Sequence, residues 1–146
     1  MARIEPKATE ATDAFWDATR ESRYLVQWCT QCDAPIFYPR EVCPQCLLAD
    51  NLTWRESSGN ATVYAVSVQY RPANPTMADR VPYAVAIVEL DAGDARVGSD
   101  RRTIRCMTNI VDCDPETVTV GMPVTLTWEA LSDGRQLPLF RRLTDR

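Results

Sequence analysis

Cys29-Thr-Gln-Cys32 and Cys43-Pro-Gln-Cys46 set two C-x2-C pairs ten residues apart. Two thiolates separated by two residues both point at one ion from a tight turn. Two such turns supply four soft ligands in a tetrahedron, the donor set of Zn²⁺ at Zn–S distances of roughly 2.3 Å. Four protein ligands leave no open position for water or substrate, so the implied role is structural. The same residues leave two alternatives: iron in a rubredoxin-like site, and a pair of redox C-x-x-C motifs. A redox motif belongs at a helix N-terminus after a strand, a setting not visible here. The remaining two of the 6 cysteines, Cys106 and Cys113, read as small buried hydrophobes within and at the end of one apolar strand.

The rest of the chemical inventory is thin. The chain of 146 residues contains no histidine, and Lys7 is its only lysine among 16 basic residues. This excludes Ser-His-Asp triads, Cys-His dyads, histidine-liganded catalytic zinc and imidazole proton shuttles. With one lysine, Schiff-base and Ser-Lys chemistry are not expected either. At 45% hydrophobic and 25% charged the composition is that of a globular domain, and the net charge of −4 argues against a nucleic-acid binder. The start, MARIEPKATEATDAF, carries no apolar signal-peptide core, and no run approaches membrane-spanning length. A cytoplasmic protein is therefore expected, where clustered cysteines point to metal more often than to disulfides.

The elements that must hold the cysteines are legible from period and punctuation. Thr9 and Thr12 are candidate caps for a helix over about residues 10–22, with Phe15, Ala18 and Ser22 on one face. Tyr24 to Trp28 reads as a short strand entering the first cysteine pair, and Ile36-Phe37-Tyr38 as a strand between the two pairs. From Thr53 the period becomes two. Ala61 to Tyr70 is a strand with Tyr64, Val66, Val68 and Tyr70 on one face. A loop carrying Pro72, Pro75 and Pro82 leads to a second strand, Tyr83 to Leu90. After a turn at Asp91-Ala92-Gly93-Asp94, Thr103 to Val111 is the third. Asp114-Pro115-Glu116 starts a helical turn. Alternation around Val124, Leu126 and Trp128 gives the fourth strand, Ser132-Asp133-Gly134 a hairpin turn, and Leu137 to Leu143 the fifth.

Five strands with one helical turn between the third and fourth fit a small Greek-key barrel of the OB type, with an SH3-like barrel or an incomplete sandwich as competitors. The expected fold is mainly β with an N-terminal helix: a rubredoxin-like zinc ribbon followed by a five-stranded OB-fold barrel. The divisions fall at 1–24 for the helical segment, 25–50 for the ribbon and 51–146 for the barrel.

A set of short motifs occurs in one order along this chain: Phe15-Trp16, Cys29-x2-Cys32, Phe37-x-Pro39-Arg40, Cys43-Pro44-x-Cys46, Ser58-Gly59, Tyr64, Pro82-Tyr83, Val88-Glu89-Leu90, Gly121-Met122-Pro123-Val124 and Leu137-Pro138-Leu139-Phe140. In that order they resemble the DUF35 family of zinc-ribbon/OB-fold, acyl-CoA-associated proteins, from about residue 12 to residue 140. The stretch from Gly93 to Arg102 is longer than the turn usual in the family. The resemblance implies a small non-catalytic subunit beside a thiolase-superfamily enzyme, such as a thiolase, an acyltransferase or a steroid side-chain aldolase. It also implies, as an alternative, a partner of a MaoC-type enoyl-CoA hydratase. In either case the partner supplies the catalytic groups.

Acyl-CoA is then an expected ligand, with structural Zn²⁺ as the metal. Arg40 and the cluster Arg96, Arg101, Arg102 and Arg105 could meet CoA phosphates, or simply form solvated surface. Phe15, Trp16, Phe37 and Tyr38 could touch a partner or an acyl chain, or pin helix and ribbon to the barrel. Two readings compete from other classes. A zinc-ribbon/OB module could bind nucleic acid, although residues 51–146 carry 11 Arg against 12 Asp+Glu. A stand-alone thioesterase would need Glu89 or Asp91 as base, with no nucleophile in view.

Overall fold

The computed structural model describes residues 3–91 and 103–144. A 3-10 turn at Glu10–Thr12 leads into helix α1, Asp13–Thr19. The Thr12 hydroxyl accepts from the Thr9 N–H at 2.8 Å, and Glu10 and Asp13 sit where the helix dipole favours acids. The helix stops at Thr19, three residues short of the expected end. Ser22 adopts the left-handed conformation (φ 57°) and lies off the Phe15/Ala18 face. Gln136 takes over the C-terminus, its side-chain amide donating to the Thr19 carbonyl at 3.1 Å and the Ser22 hydroxyl at 2.8 Å.

Strands β1 (Leu25–Cys29), β2 (Ala34–Ile36) and β3 (Leu52–Glu56) form an antiparallel sheet ordered β2-β1-β3. The strand between the cysteine pairs therefore ends at Ile36, earlier than expected, and Phe37 and Tyr38 lie in the loop that follows. β3 pairs with β1 from Leu25↔Glu56 to Cys29↔Leu52, so its period-two pattern belongs to the ribbon sheet.

The second sheet is a closed barrel ordered β4-β5-β6-β8-β7, from β4 (Asn60–Gln69), β5 (Tyr83–Asp91), β6 (Thr103–Val111), β7 (Pro123–Ala130) and β8 (Gln136–Arg142). These are the five expected strands, and the OB arrangement prevails over the competitors. The helical turn at Pro115–Thr117 is capped by the Asp114 side chain, which accepts from the Glu116 N–H at 3.0 Å. A further 3-10 segment, Pro75–Arg80, stands in the proline-bearing loop, capped by Asn74. In β4 a bulge between Val63 and Ala65 resets the alternation. Tyr64 consequently lies exposed while Val66 packs against the core, so the expected single face of Tyr64, Val66, Val68 and Tyr70 is broken. The turn at 91–94 lies beyond Asp91 outside the described residues.

One buried cluster joins both sheets: Tyr24, Val26 and Trp28 of the ribbon side with Val63, Val88, Leu90, Val124 and Phe140 of the barrel. Gly59 (φ 80°) lets its backbone approach β7, since a Cβ there would meet Leu126 Cδ1 at 2.8 Å. The barrel seam is short. β6 and β8 run parallel and register only at Ile110↔Phe140 and Val111↔Arg141, so their earlier parts diverge.

Residues 3–6 cross one end of the barrel through polar contacts. Glu5 accepts from the Ser132 N–H (2.8 Å) and hydroxyl (2.7 Å), and the Arg135 guanidinium donates to the Pro6 carbonyl at 2.9 Å. Glu129 receives Arg80 in a bidentate pair (2.8 and 3.1 Å) and Arg3 at 3.2 Å. Hydrogen bonding from Arg80, with the charge of Arg3, holds the Glu129 carboxyl below the usual carboxylate range. A depressed carboxyl contributes stability above its unfolded value of about 4.3 and loses it as pH falls through the folded value. We therefore expect Glu129→Gln to melt lower than wild type at pH 7, by an amount equivalent to less than about 1 kcal/mol. The gap should close below about pH 4. Melting curves of the two proteins between pH 7 and pH 3 check this, and a gap constant over that range contradicts it.

Candidate metal centre and adjoining cavity

The four ribbon cysteines converge. Their sulfurs lie within 4.8 Å of one another, with Cys29 Sγ to Cys46 Sγ at 3.7 Å and Cys32 Sγ to Cys43 Sγ at 3.8 Å. A tetrahedron of sulfurs about 2.3 Å from a central ion has edges of about 3.8 Å, so the donor set fits Zn²⁺. None of the four is in a disulfide. The geometry follows from two like turns. In each, the residue after the second cysteine takes a left-handed conformation, Asp33 at φ 48° and Leu47 at φ 60°. Backbone N–H groups turn inward toward sulfur, Cys32 N–H to Cys29 Sγ and Gln45 N–H to Cys43 Sγ, each at 3.4 Å.

These donors act unequally on the thiols. Backbone hydrogen bonds from Cys46 and Gln45 pull the Cys43 thiol down to about 6, and burial pushes Cys32 up to about 12. Cys43 thus ionises more readily than Cys32. Ile36 and Leu52 pack over the sulfurs. The buried Gln27 amide braces the loop between the turns, donating to the Arg40 carbonyl and accepting from the Arg40 N–H, both at 2.8 Å. With all four cysteines as ligands, a zinc ion bound here would have a closed, structural coordination shell.

Beside the ribbon lies a cavity of about 290 Å³. It opens where β6 and β8 diverge. The barrel contributes Cys106, Met107 and Thr108 on one side and Leu137 and Pro138 on the other, while α1 and the loop after β2 stand over them. All four expected aromatics meet here. Phe15 stacks edge-on against Trp16 and Tyr24, with centroids 5.1 Å apart in both cases, and Phe37 lies 4.1 Å from Tyr38. Phe15 and Phe37 also pack against the common core, so they pin helix and ribbon as well as lining the space. Trp16 has the Arg135 guanidinium 5.0 Å from its ring, and Tyr38 is 62% exposed.

At the inner end, burial raises the Tyr24 hydroxyl well above its ordinary range and pushes the Cys106 thiol up to about 11. Cys106 is a neutral thiol at physiological pH, consistent with its reading as a buried hydrophobe. No charged side chain lines this cavity among the described residues.

Of the expected arginines, the two described ones, Arg40 and Arg105, do not line the cavity. Arg40 is exposed, and its backbone is the part the fold uses. Arg105 stacks on Tyr64 at 3.7 Å and pairs with Glu89 at 3.0 Å on the barrel's outer face. Arg96, Arg101 and Arg102 lie outside the described residues. Sequence reasoning missed the barrel's share of the cavity. Met107, 68% exposed in an otherwise alternating strand, was the available signal. Leu137 and Pro138 gave none, because the gap they border depends on how β8 meets β6.

Comparison with known proteins places these parts in context. Residues 16–53 match the family described as the ChsH2 rubredoxin-like zinc ribbon domain, and residues 54–129 match the ChsH2 C-terminal OB-fold domain. A "Probable enoyl-CoA hydratase alpha subunit" of Thermomonospora curvata is 31% identical over 97% of this chain, which spans 46% of that relative's length. A "DUF35 domain-containing scaffold protein" of Methanothermobacter thermautotrophicus is 34% identical, over 72% of this chain and 71% of its own. Among solved structures, "Ltp2-ChsH2(DUF35) aldolase" superposes with a TM-score of 0.78 at 29% identity, covering 94% of this chain and 98% of that one.

Proposed function

The chain belongs to the DUF35 family, in which a ChsH2-type zinc ribbon precedes an OB-fold domain, and from that membership we propose a non-catalytic accessory subunit that binds a thiolase-superfamily enzyme. In this reading it supports the stability and acyl-CoA binding of its partner, and the partner carries the reaction. The observation that carries the proposal is the likeness to the chain titled Ltp2-ChsH2(DUF35) aldolase, which extends over 98% of that chain. The scaffold-protein names of two archaeal relatives agree with it.

The chemistry of the site supports the same division of labour. The chain has no histidine, four of its cysteines form the metal centre, and Cys106 is a buried neutral thiol. What it offers an acyl thioester is an apolar wall held by zinc on one side and by the barrel on the other. A second reading, partnership with a hydratase, is favoured by the hydratase-subunit names of the Thermomonospora relative and of one from Mycobacterium tuberculosis.

The test is co-expression of the tagged chain with the products of neighbouring reading frames, followed by native mass measurement. We expect a mixed oligomer containing a thiolase-fold chain, inactive when either component is omitted. Capture of a MaoC-type hydratase instead selects the second reading. A lone monomer, or acyl-CoA turnover by this chain alone, overturns both.

A further inference from the structure

Residues 3–6 are held to the barrel by polar contacts. Arg3 bonds Glu129 and Asn109, Glu5 accepts from Ser132, and the Pro6 carbonyl accepts from Arg135. Ile4, between them, is 68% exposed and buries little apolar surface. A segment fixed without apolar burial belongs to the least stable part of a fold. Its inner end is incompletely satisfied as well. The Arg135 side chain is only 10% exposed, yet its Nη1 is a buried donor without a partner.

The same segment borders three cavities. Pro6 lines the one of about 290 Å³ already described, and Arg3 lines two more, of about 340 and 280 Å³. Neighbouring cavities share walls. The 290 and 340 Å³ cavities both touch Met107, Thr108, Leu137 and Pro138, while the 340 and 280 Å³ cavities share Met77, Tyr83 and Asn109. The Arg3 guanidinium reaches Glu129 on β7 at 3.2 Å and Asn109 on β6 at 3.5 Å, and β8 lies between those strands. One side chain therefore crosses the seam where β6 and β8 part.

We propose that residues 3–6 form a releasable clasp: Arg3 ties β6 to the β7–β8 hairpin, and its release joins the three cavities into one groove. Opening costs Glu129 little, because Arg80 keeps its bidentate contact with that carboxylate. The Arg3–Glu129 pair is 17% and 28% exposed, so dissolved ions reach it. The clasp thus responds to ionic strength and needs no partner to open.

The zinc-loaded full chain, without any partner, is the sample for the test. The Ser132 amide donates to Glu5 only while the segment is docked, so its hydrogen exchange, followed by NMR, reports docking. Nile red, an uncharged apolar dye, reports the joined groove. Between about 0.1 and 1 M sodium chloride the screening length falls from about 10 to 3 Å, and both Ser132 exchange and dye affinity should rise at least about threefold. Arg3→Met keeps the aliphatic stem without the charge, and should show both increases at low salt with little further response. Arg3→Lys should bring the salt response back. Adding Met107→Asp to Arg3→Met, at a 68% exposed side chain bordering two of the cavities, should cancel the dye gain and leave the exchange gain.

Ser132 exchange that ignores both salt and Arg3→Met overturns the clasp. Faster exchange with unchanged dye affinity overturns the joining of the cavities, and so does a dye gain that survives Met107→Asp. Melting curves accompany each variant. A fall of more than about 5 °C in Arg3→Met would make the segment part of the main cooperative unit, which also contradicts release.

Discussion

Cys43→Ser is expected to release zinc and unfold the ribbon while leaving the barrel strands paired. Serine offers a hard oxygen in place of a soft thiolate ligand, and Cys43 is almost wholly buried at 1% exposure. Metal binding by structural zinc sites is worth about 10–16 kcal/mol in small peptides. Net stability of a whole domain is only about 5–15 kcal/mol, so the ribbon has no reserve to replace that contribution. The barrel keeps its own inward-facing residues, among them Val63, Val88, Leu90 and Val124.

Metal analysis should find less than one zinc per chain. Hydrogen exchange should rise most across residues 25–56 and to a smaller extent in β4, β5 and β7, whose core loses Tyr24, Val26 and Trp28. Partner capture should be lost with the ribbon. Full zinc occupancy with native exchange in the variant would contradict the structural account.

The second large effect belongs to Trp28. It is fully buried, at 0% exposure, and although it lies on ribbon strand β1 it belongs to the same apolar cluster as the barrel core. Arg55 stands 3.9 Å above its ring, and its indole N–H donates to Asp33 Oδ1 at 3.3 Å, the residue that closes the first cysteine turn. Trp28→Ala therefore removes core volume and a brace of the metal centre together. We expect a loss of about 3–5 kcal/mol, seen as a melting temperature lower by roughly 6–20 °C. Trp28→Phe keeps most of the apolar contact but not the indole donor, and should fall between the two. Equal melting of Trp28→Ala and wild type would mean that ribbon and barrel do not share a core.

What the sequence disclosed, and what it hid, follows from the range of each signal. The cysteine turns are local, since spacing alone brings Cys29 and Cys32 to one point. The Asp114-Pro115 turn and the five alternating barrel strands are local in the same way. β3 was harder to place, because Leu52-Thr-Trp-Arg-Glu alternates like any half-buried strand, and only its pairing with β1 across the metal loop assigns it to the ribbon. The bulge at Tyr64 leaves no mark in composition, yet it reverses which side chains of β4 face inward. The helix ends early at a left-handed Ser22, whose N–H donates to the Thr19 carbonyl, and the second donor to that carbonyl is Gln136, more than a hundred residues away. The candidate site divides along the same line. Its metal ligands and four aromatics were legible, while the barrel's half of the cavity depends on the angle between β6 and β8.

That diverging seam has a consequence for solubility. Two strands that part company leave N–H and C=O groups unclaimed along their facing margins, and such margins recruit foreign strands into aggregates. Pro138, placed on one of those margins, has no N–H to offer an intruder. The helix and the aromatic loop of the ribbon stand over the opening as a physical shield. Metal binding that folds the ribbon would thereby also keep this joint of the barrel covered, so metal removal is expected to raise aggregation as well as to loosen the ribbon.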